Sequence, residues 1–277
     1  MQKLRQTIDR AASDLDMDAL GVADAALVND RAPDGFRPRD MLPEAKSVVV
    51  IAQRMPVGAS LAFAEDDTRE MPYMHAFWTS EEVMNRAAYT LARILDAAGY
   101  PSLTVPAYGP LRISGNTTRG MLSLKHTAAL AGLGVIGRNS LLISPDFGNL
   151  LRLAAVVTPA PLPTDDSTGF SPCPEGCTAC RDACPVNAIG EYRININRCM
   201  KRSIRHPLMQ PFVMTRLLFW LSSVMEPVHS MTEDLTNMMA DRYAESCVLC
   251  LAACPHFKKG TTTPTTRRIL PEEVGTL

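Results

Sequence analysis

No cysteine occurs in residues 1–172 of this 277-residue chain; all eight lie between Cys173 and Cys254. Net charge is nearly absent too. The 28 Lys and Arg against 29 Asp and Glu leave −1, without the basic excess that a dedicated nucleic-acid binder carries. Long hydrophobic runs are missing. The nearest, 212–225, is interrupted by Thr215, Arg216, Ser222 and Ser223, so no membrane span is expected. The N-terminal residues lack the apolar stretch of a secretory signal and a twin-arginine pair, which places the expectation in the cytoplasm. The 46% apolar and 21% charged composition is ordinary for a globular protein and excludes a largely disordered one. The length predicts two domains and a core that needs no staples. Thiols in a reducing compartment stay free, so eight clustered cysteines point to metal binding.

Their spacing narrows the metal. The first half reads Cys173-x3-Cys177-x2-Cys180-x3-Cys184-Pro185. The second reads Cys199, a long insert, then Cys247-x2-Cys250-x3-Cys254-Pro255. In two-cluster ferredoxins the fourth Cys of a similar run ligates the other cluster. Crossing the fourth ligands gives Cys173, Cys177, Cys180 and Cys254 for one [4Fe–4S] cluster, and Cys184, Cys199, Cys247 and Cys250 for the other. The first gap and the 47-residue split depart from that run. Zinc is the alternative, although it ordinarily takes separated Cys pairs without the x3-Cys-Pro ending. Two adjacent clusters serve single-electron transfer. Arg193, Arg198, Lys201, Arg202, Arg205, Lys258 and Lys259 rim the motif, as docking of an acidic donor such as ferredoxin or flavodoxin requires; a merely solvated face reads the same way.

Ahead of the cysteines, hydrophobic periodicity predicts a helix over 1–16, strands at 19–23 and 47–52, a charged loop at 66–70, and a helix from Thr79 or Ser80 to about 98. A strand near 102–105, a polar loop over 108–120 and a helix over 122–131 follow. Strands at 141–143 and 151–157 are expected to form a hairpin. This order predicts a sheet covered by helices. The stretch 160–174, rich in Pro, Ser, Thr and Asp, marks a boundary, giving domains 1–164 and 165–277 with a mostly helical insert at about 203–245. The insert's apolar residues cover most of a helix, so it is expected to be buried core, or else a homodimer contact or a lid.

Gly132, Gly134 and Gly137 match G-x-G-x-x-G. A dinucleotide site needs a strand before that pattern and a helix after it; here the order is reversed. The glycines are read instead as allowing close backbone approach, such as a flat cofactor demands. His126 (cobalt or substrate ligand, or core), His256 (donor to a cluster sulfur) and His75 in an aromatic stretch (cavity lining, or core) are further candidates.

The stretch LAGLGVIGRNSLLISPDFGNLLRLAAVVTPAPLP, followed by the two-cluster cysteines, resembles epoxyqueuosine reductases and reductive dehalogenases. The resemblance implies an α+β architecture: a nitroreductase-like α/β domain, then a two-cluster ferredoxin-like domain carrying the insert. It implies base-off cobalamin in the first domain; a flavin in place of the cobalamin, on the same scaffold, is the alternative. It places Gly132, Gly134, Gly137, Arg138, Asn139 and Ser140 near that cofactor. It also points to Tyr108 as proton donor, with Arg112, Lys125 or His126 as its basic neighbour, because the family's acidic segment reads VPAYGPLRISG here. A C-terminal helical-repeat extension that helps hold tRNA in the family has no counterpart, so tRNA is not expected as a partner. The function expected is an iron–sulfur reductase acting on a small molecule or a corrinoid. The alternative is an electron-transfer protein that re-reduces a partner's corrinoid.

Overall fold

A computed structural model describes residues 1–65, 70–114, 117–203 and 247–257, and in the insert 217, 220, 221, 224, 225 and 227–232. The chain opens with α1 (Gln2–Asp14), β1 (Ala19–Asp24), α2 (Ala25–Arg31), α3 (Pro38–Met41), β2 (Ser47–Arg54), α4 (Val57–Glu65) and α5 (Glu70–Ala97). Next come β3 (Leu103–Val105), β4 (Leu111–Ser114), β5 (Thr117–Gly120), α6 (Leu124–Leu130), β6 (Val135–Ile136), β7 (Leu142–Ile143) and β8 (Leu151–Thr158). Three short helices, α7 (Ala179–Asp182), α8 (Ile196–Ser203) and α9 (Leu249–Ala252), carry cysteines.

The main sheet runs β1-β2-β8-β3, every pair antiparallel. The run SVVVIA does not alternate because both of its faces are covered. Val49 and Ile51, with Leu20, Val22, Ala154 and Val156, pack on α1 and α5 through Ile8, Met84, Leu91 and Leu95. Val48, Val50 and Ala52 face the other way, onto Val28 of α2 and Ala128 of α6, with Phe147. The result is a mixed helix-and-sheet fold in three layers, which matches the covered sheet expected from element order.

Four expectations are corrected. The long helix begins at Glu70, not at Thr79 or Ser80. Pro72 falls in its first turn, where a missing N–H costs nothing, and Ser80 donates back to Phe77 O at 2.8 Å rather than capping an end. The polar loop 108–120 contains the hairpin β4–β5. Residues 141–143 and 151–157 do not pair: β7 joins β6, and β8 takes the centre of the sheet between β2 and β3. The turn between them closes on itself through Ser144 and Gly148, so it redirects the chain instead of making a hairpin. Lastly, Leu217, Trp220, Val224 and Met225 of the insert are exposed; both faces of the sheet are already covered by α1, α5, α2 and α6. Most of the insert, with Arg205, Lys258 and Lys259 of the basic rim and residues 66–69 of the charged loop, lies outside the described residues.

The stretch after β8 is anchored rather than loose. Asp165 Oδ2 accepts from Val22 N (2.9 Å) and Arg5 Nη2 (3.0 Å), Arg5 Nη1 donates to Pro163 O, and Asp165 N donates to Val22 O. Asp165→Ala orphans the Val22 N–H and is expected to cost about 2 kcal/mol in urea unfolding, mostly from that unpaired donor. Solvent screening keeps the ion pair itself a minor part.

Candidate metal centre and adjoining cleft

The two Cys-x2-Cys-x3-Cys-Pro segments fold alike. In the first, Asp182 N, Ala183 N and Cys184 N donate to Thr178 O, Ala179 O and Arg181 O; in the second, Ala252 N, Ala253 N and Cys254 N donate to Val248 O, Leu249 O and Leu251 O. Asn187 N and Phe257 N then close the same turn onto Cys184 O and Cys254 O. Equal spacing has produced two equal sulfur-presenting turns, α7 and α9, which pack against each other.

Electrostatics relates three of the thiols to their neighbours. Burial pushes Cys250 up to about 12, and repulsion from Cys247, Cys199, Cys180 and Cys184 adds to it. Burial also raises Cys254; the His256 N–H opposes this, and Cys173, Cys180 and Cys177 reinforce it. Cys180 is raised by burial and then by Cys173 and Cys177. Cys254 thus sits with the first half-motif, and Cys184 and Cys199 with the second, with Cys180 and Cys250 where the groups meet. Raised by burial, Cys180, Cys250 and Cys254 hold their protons until a multivalent cation replaces them. Among the described residues no three His, Cys, Asp or Glu side chains are gathered to hold one metal ion.

Backbone donors ring the sulfurs. Arg138 N points at Cys173 Sγ (3.4 Å) and Ala188 N at Cys184 Sγ (3.2 Å); Arg181 N–H serves Cys180. One ring nitrogen of His256, Nε2, is 2.6 Å from Pro172 O, whereas Nδ1 is buried without a hydrogen-bond partner among the described residues and stays available for the expected bond to sulfur; its backbone N–H serves Cys254. Arg138, Asn139 and Ile143 complete the wall of the cavity that holds Cys173, Cys177, Cys180 and Cys254.

The glycine run leads from this cavity into a cleft. Gly134, Val135 and Ile136 line one side of it; Arg31, Arg119, Ser123, His126 and Thr168 line others, around about 1040 Å³ of space that includes open solvent. His126 Nδ1 is 2.6 Å from Ser123 Oγ, and burial, then the nearby Lys125, holds its pKa below the usual histidine value. Lys125 Nζ donates to Ser140 O at 2.6 Å, fixing the buried Ser140 at φ 63°. The glycines themselves face protein. A Cβ at Gly132 would meet Asp166 O, at Gly134 Ile143 O, and at Gly137 the Ile143 side chain.

Tyr108 lies elsewhere, edge-on to Phe77 at 5.6 Å, in an aromatic layer with Phe63 and Tyr73 that packs on Val248 and Leu251 of the second cysteine segment. Met74, Ala76 and Trp78 border that layer, but His75 itself is exposed on the outer side of α5 and is neither core nor cavity lining as expected. Arg112 is turned the other way, donating to Gly35 O at 3.2 Å and lying over Phe36. The sequence reading passed over Arg152, stacked 3.8 Å from the Phe77 centroid, and Asn149, whose Nδ2 donates to Leu251 O at 3.0 Å and ties the sheet domain to α9. Neither carries a local pattern; only the polar pair Gly148-Asn149 ahead of an apolar strand hints at them.

No model of a known protein family matches the chain. An epoxyqueuosine reductase from Lactococcus garvieae is 25% identical over 223 residues, 72% of this chain and 60% of that protein. One from Pseudomonas aeruginosa is 38% identical over 77 residues, 27% of this chain and 21% of that protein. The chain spans 60%, 41% and 40% of the first three curated relatives it matches. A structure of the Bacillus subtilis epoxyqueuosine reductase aligns over 98% of this chain and 68% of its own (TM-score 0.58, 19% identity). A reductive dehalogenase structure, described as suggesting a mechanism for B12-dependent dehalogenation, aligns over 86% and 37% (TM-score 0.54, 16% identity).

Proposed function

We propose that this chain, which is similar to epoxyqueuosine reductases in sequence and shares its fold with them and with reductive dehalogenases, is an iron–sulfur reductase of that superfamily. Two [4Fe–4S] clusters would pass single electrons to a cofactor, a cobalamin, or to a small substrate in a nitroreductase-like domain. The observation that carries the reading is the segment 134–139: its first residues line the cleft and its last line the first cysteine cavity. Acceptor and sulfur cage share one wall.

The donor sets suit cubanes. Each is four thiols with N–H groups aimed at sulfur, which is how proteins set cluster potentials. Zinc ordinarily takes separated Cys pairs without the x3-Cys-Pro ending that both segments carry. The two sets and their turns form the ferredoxin-like part of the division at residue 165. For a corrinoid the support is the cleft and the B12-dependent relative. Gly132, Gly134 and Gly137 are not an open cradle, because protein atoms already occupy their faces. Arg138 and Asn139 therefore face the clusters, whereas His126 and the edge 134–136 face the acceptor.

When bound, the clusters supply the electrons; the chain supplies position, proton and docking. Tyr108 is half-buried at the aromatic layer, apart from the cleft, so its proton-donor role, which the family resemblance implies, requires the acceptor to reach that layer. The exposed Arg193 and Arg198, near Cys199, form the docking face for an acidic ferredoxin or flavodoxin. The alternative of a carrier without its own substrate is not favoured, since the named relatives are themselves reductases. A small-molecule substrate fits a chain of net charge −1 better than tRNA does.

Anaerobic reconstitution is expected to give equal iron and acid-labile sulfide, twice the content of one cubane, and to retain added cobalamin with a base-off spectrum. Zinc without labile sulfide would overturn the reading. Epoxyqueuosine and 3-bromo-4-hydroxybenzoic acid, named for relatives, serve as trial substrates. Tyr108→Phe is expected to keep both clusters reducible by dithionite while slowing product formation by about 10²-fold or more.

A further inference from the structure

We infer that the side-chain amide of Asn139 is a dedicated hydrogen-bond donor to the sulfur cage of Cys173, Cys177, Cys180 and Cys254, and sets the potential of the cluster nearest the cleft. The inference rests on the iron–sulfur reading above.

Asn139 is 2% exposed, and its Nδ2 is buried without a partner among the described residues. A buried amide N–H left unpaired costs about 1–3 kcal/mol, so native folds rarely keep one without a purpose. The other end of the amide is fixed: Oδ1 accepts from Leu141 N at 3.2 Å. That bond sets which end of the side chain is the donor, and Nδ2 is the end left over. Asn139 lines the same cavity as the four cysteines. Its neighbour Arg138 already delivers a backbone N–H to Cys173 Sγ. Two consecutive residues thus present donors to one sulfur cage, and the acceptor that Asn139 lacks among protein atoms is what a sulfide-rich cluster provides.

The consequence is directional. One electron entering a [4Fe–4S]²⁺ cluster adds negative charge to its sulfurs. An N–H···S bond favours that reduced form, so it raises the potential. The cluster at the shared wall is thereby held as the electron's resting place before the acceptor. Asn139 touches no reacting atom; it is a positioning residue for charge.

The test is an EPR-monitored redox titration of full-length reconstituted protein, wild type against Asn139→Leu and Asn139→Asp. Asn139→Asp keeps the size if the Leu variant folds poorly. Iron and sulfide should match wild type. One couple should move to lower potential by roughly a tenfold change in its one-electron reduction constant, about 59 mV, with Asn139→Asp moved at least as far because it adds charge. The second couple should stay in place and serve as the internal reference. Asn139→Gln, which keeps an amide donor, should lie between. Normal cluster content with both couples unmoved overturns the inference and leaves the iron–sulfur reading intact. A wild-type chain that takes up no clusters overturns both.

Discussion

Cys254→Ala is expected to lose half of the reconstituted iron and sulfide, and adding Cys173→Ala is expected to lose nothing more. The two cysteines are far apart in sequence yet near enough in the fold to repel each other; on the proposed crossed ligation they share one cage, and a cage missing one ligand is already lost. The opposite pairing separates the alternatives. Cys247 lies in the same short segment as Cys254, but it groups with Cys250, Cys199 and Cys184. Cys254→Ala with Cys247→Ala is therefore expected to lose both clusters. If each half-motif instead held its own cluster, the outcomes would swap: the segment-sharing pair would lose half and the distant pair everything. Non-additivity of this kind is what a double-mutant comparison isolates. Because metal binding is also folding free energy for such segments, the variants that lose both clusters should unfold at clearly lower urea concentration.

Gly134→Ala is expected to destabilise the sheet domain strongly. The new Cβ would stand 2.4 Å from Ile143 O and 2.9 Å from Ile143 C, both backbone atoms of β7, the partner of β6. No side-chain rotation relieves that contact, so the β6–β7 ladder must open. Overpacking costs about 1–3 kcal/mol, occasionally more; taking about 3 kcal/mol, Tm falls by about 6–12 °C. Gly58→Ala is the control. Nothing lies within 4 Å of its Cβ and it sits in α4, so it is expected to be neutral or stabilising by up to about 1 kcal/mol. Since residues 134–139 form the wall between cleft and cage, Gly134→Ala should also shift the EPR line shape of the first cluster, which a purely peripheral destabilisation such as Asp165→Ala would leave unchanged.

Much of the site was legible because spacing constrains it. Residues three and four apart on a tight turn present their sulfurs together wherever the turn is placed, so Cys177, Cys180 and Cys184 announced one sulfur-presenting turn, and Cys247, Cys250 and Cys254 its twin. The crossed fourth ligands are an expectation taken from the ferredoxin pattern, with which the repulsion of Cys254 by Cys173, Cys180 and Cys177 is compatible. The run SVVVIA announced a strand buried on both faces, since a strand with one wet face would alternate. The hairpin of 141–143 with 151–157 misled for the same kind of reason. A turn sequence between two apolar runs marks a reversal of the chain, but it does not say which strand becomes the neighbour. Here β2 and β3 claim β8, and a self-closed turn at Ser144 and Gly148 leaves β7 to β6.

What the sequence determined by itself is what short-range geometry can enforce: the absence of cysteine from the sheet domain, two sulfur-presenting turns, and the strands' burial. Which surface the glycine run serves was decided only by the tertiary structure. Whether Gly134 meets a cofactor or Ile143, and whether Asn139 ends beside a sulfur cage, depends on contacts between segments distant along the chain. Those contacts are fixed by packing both faces of one sheet, and no local pattern of residues encodes them.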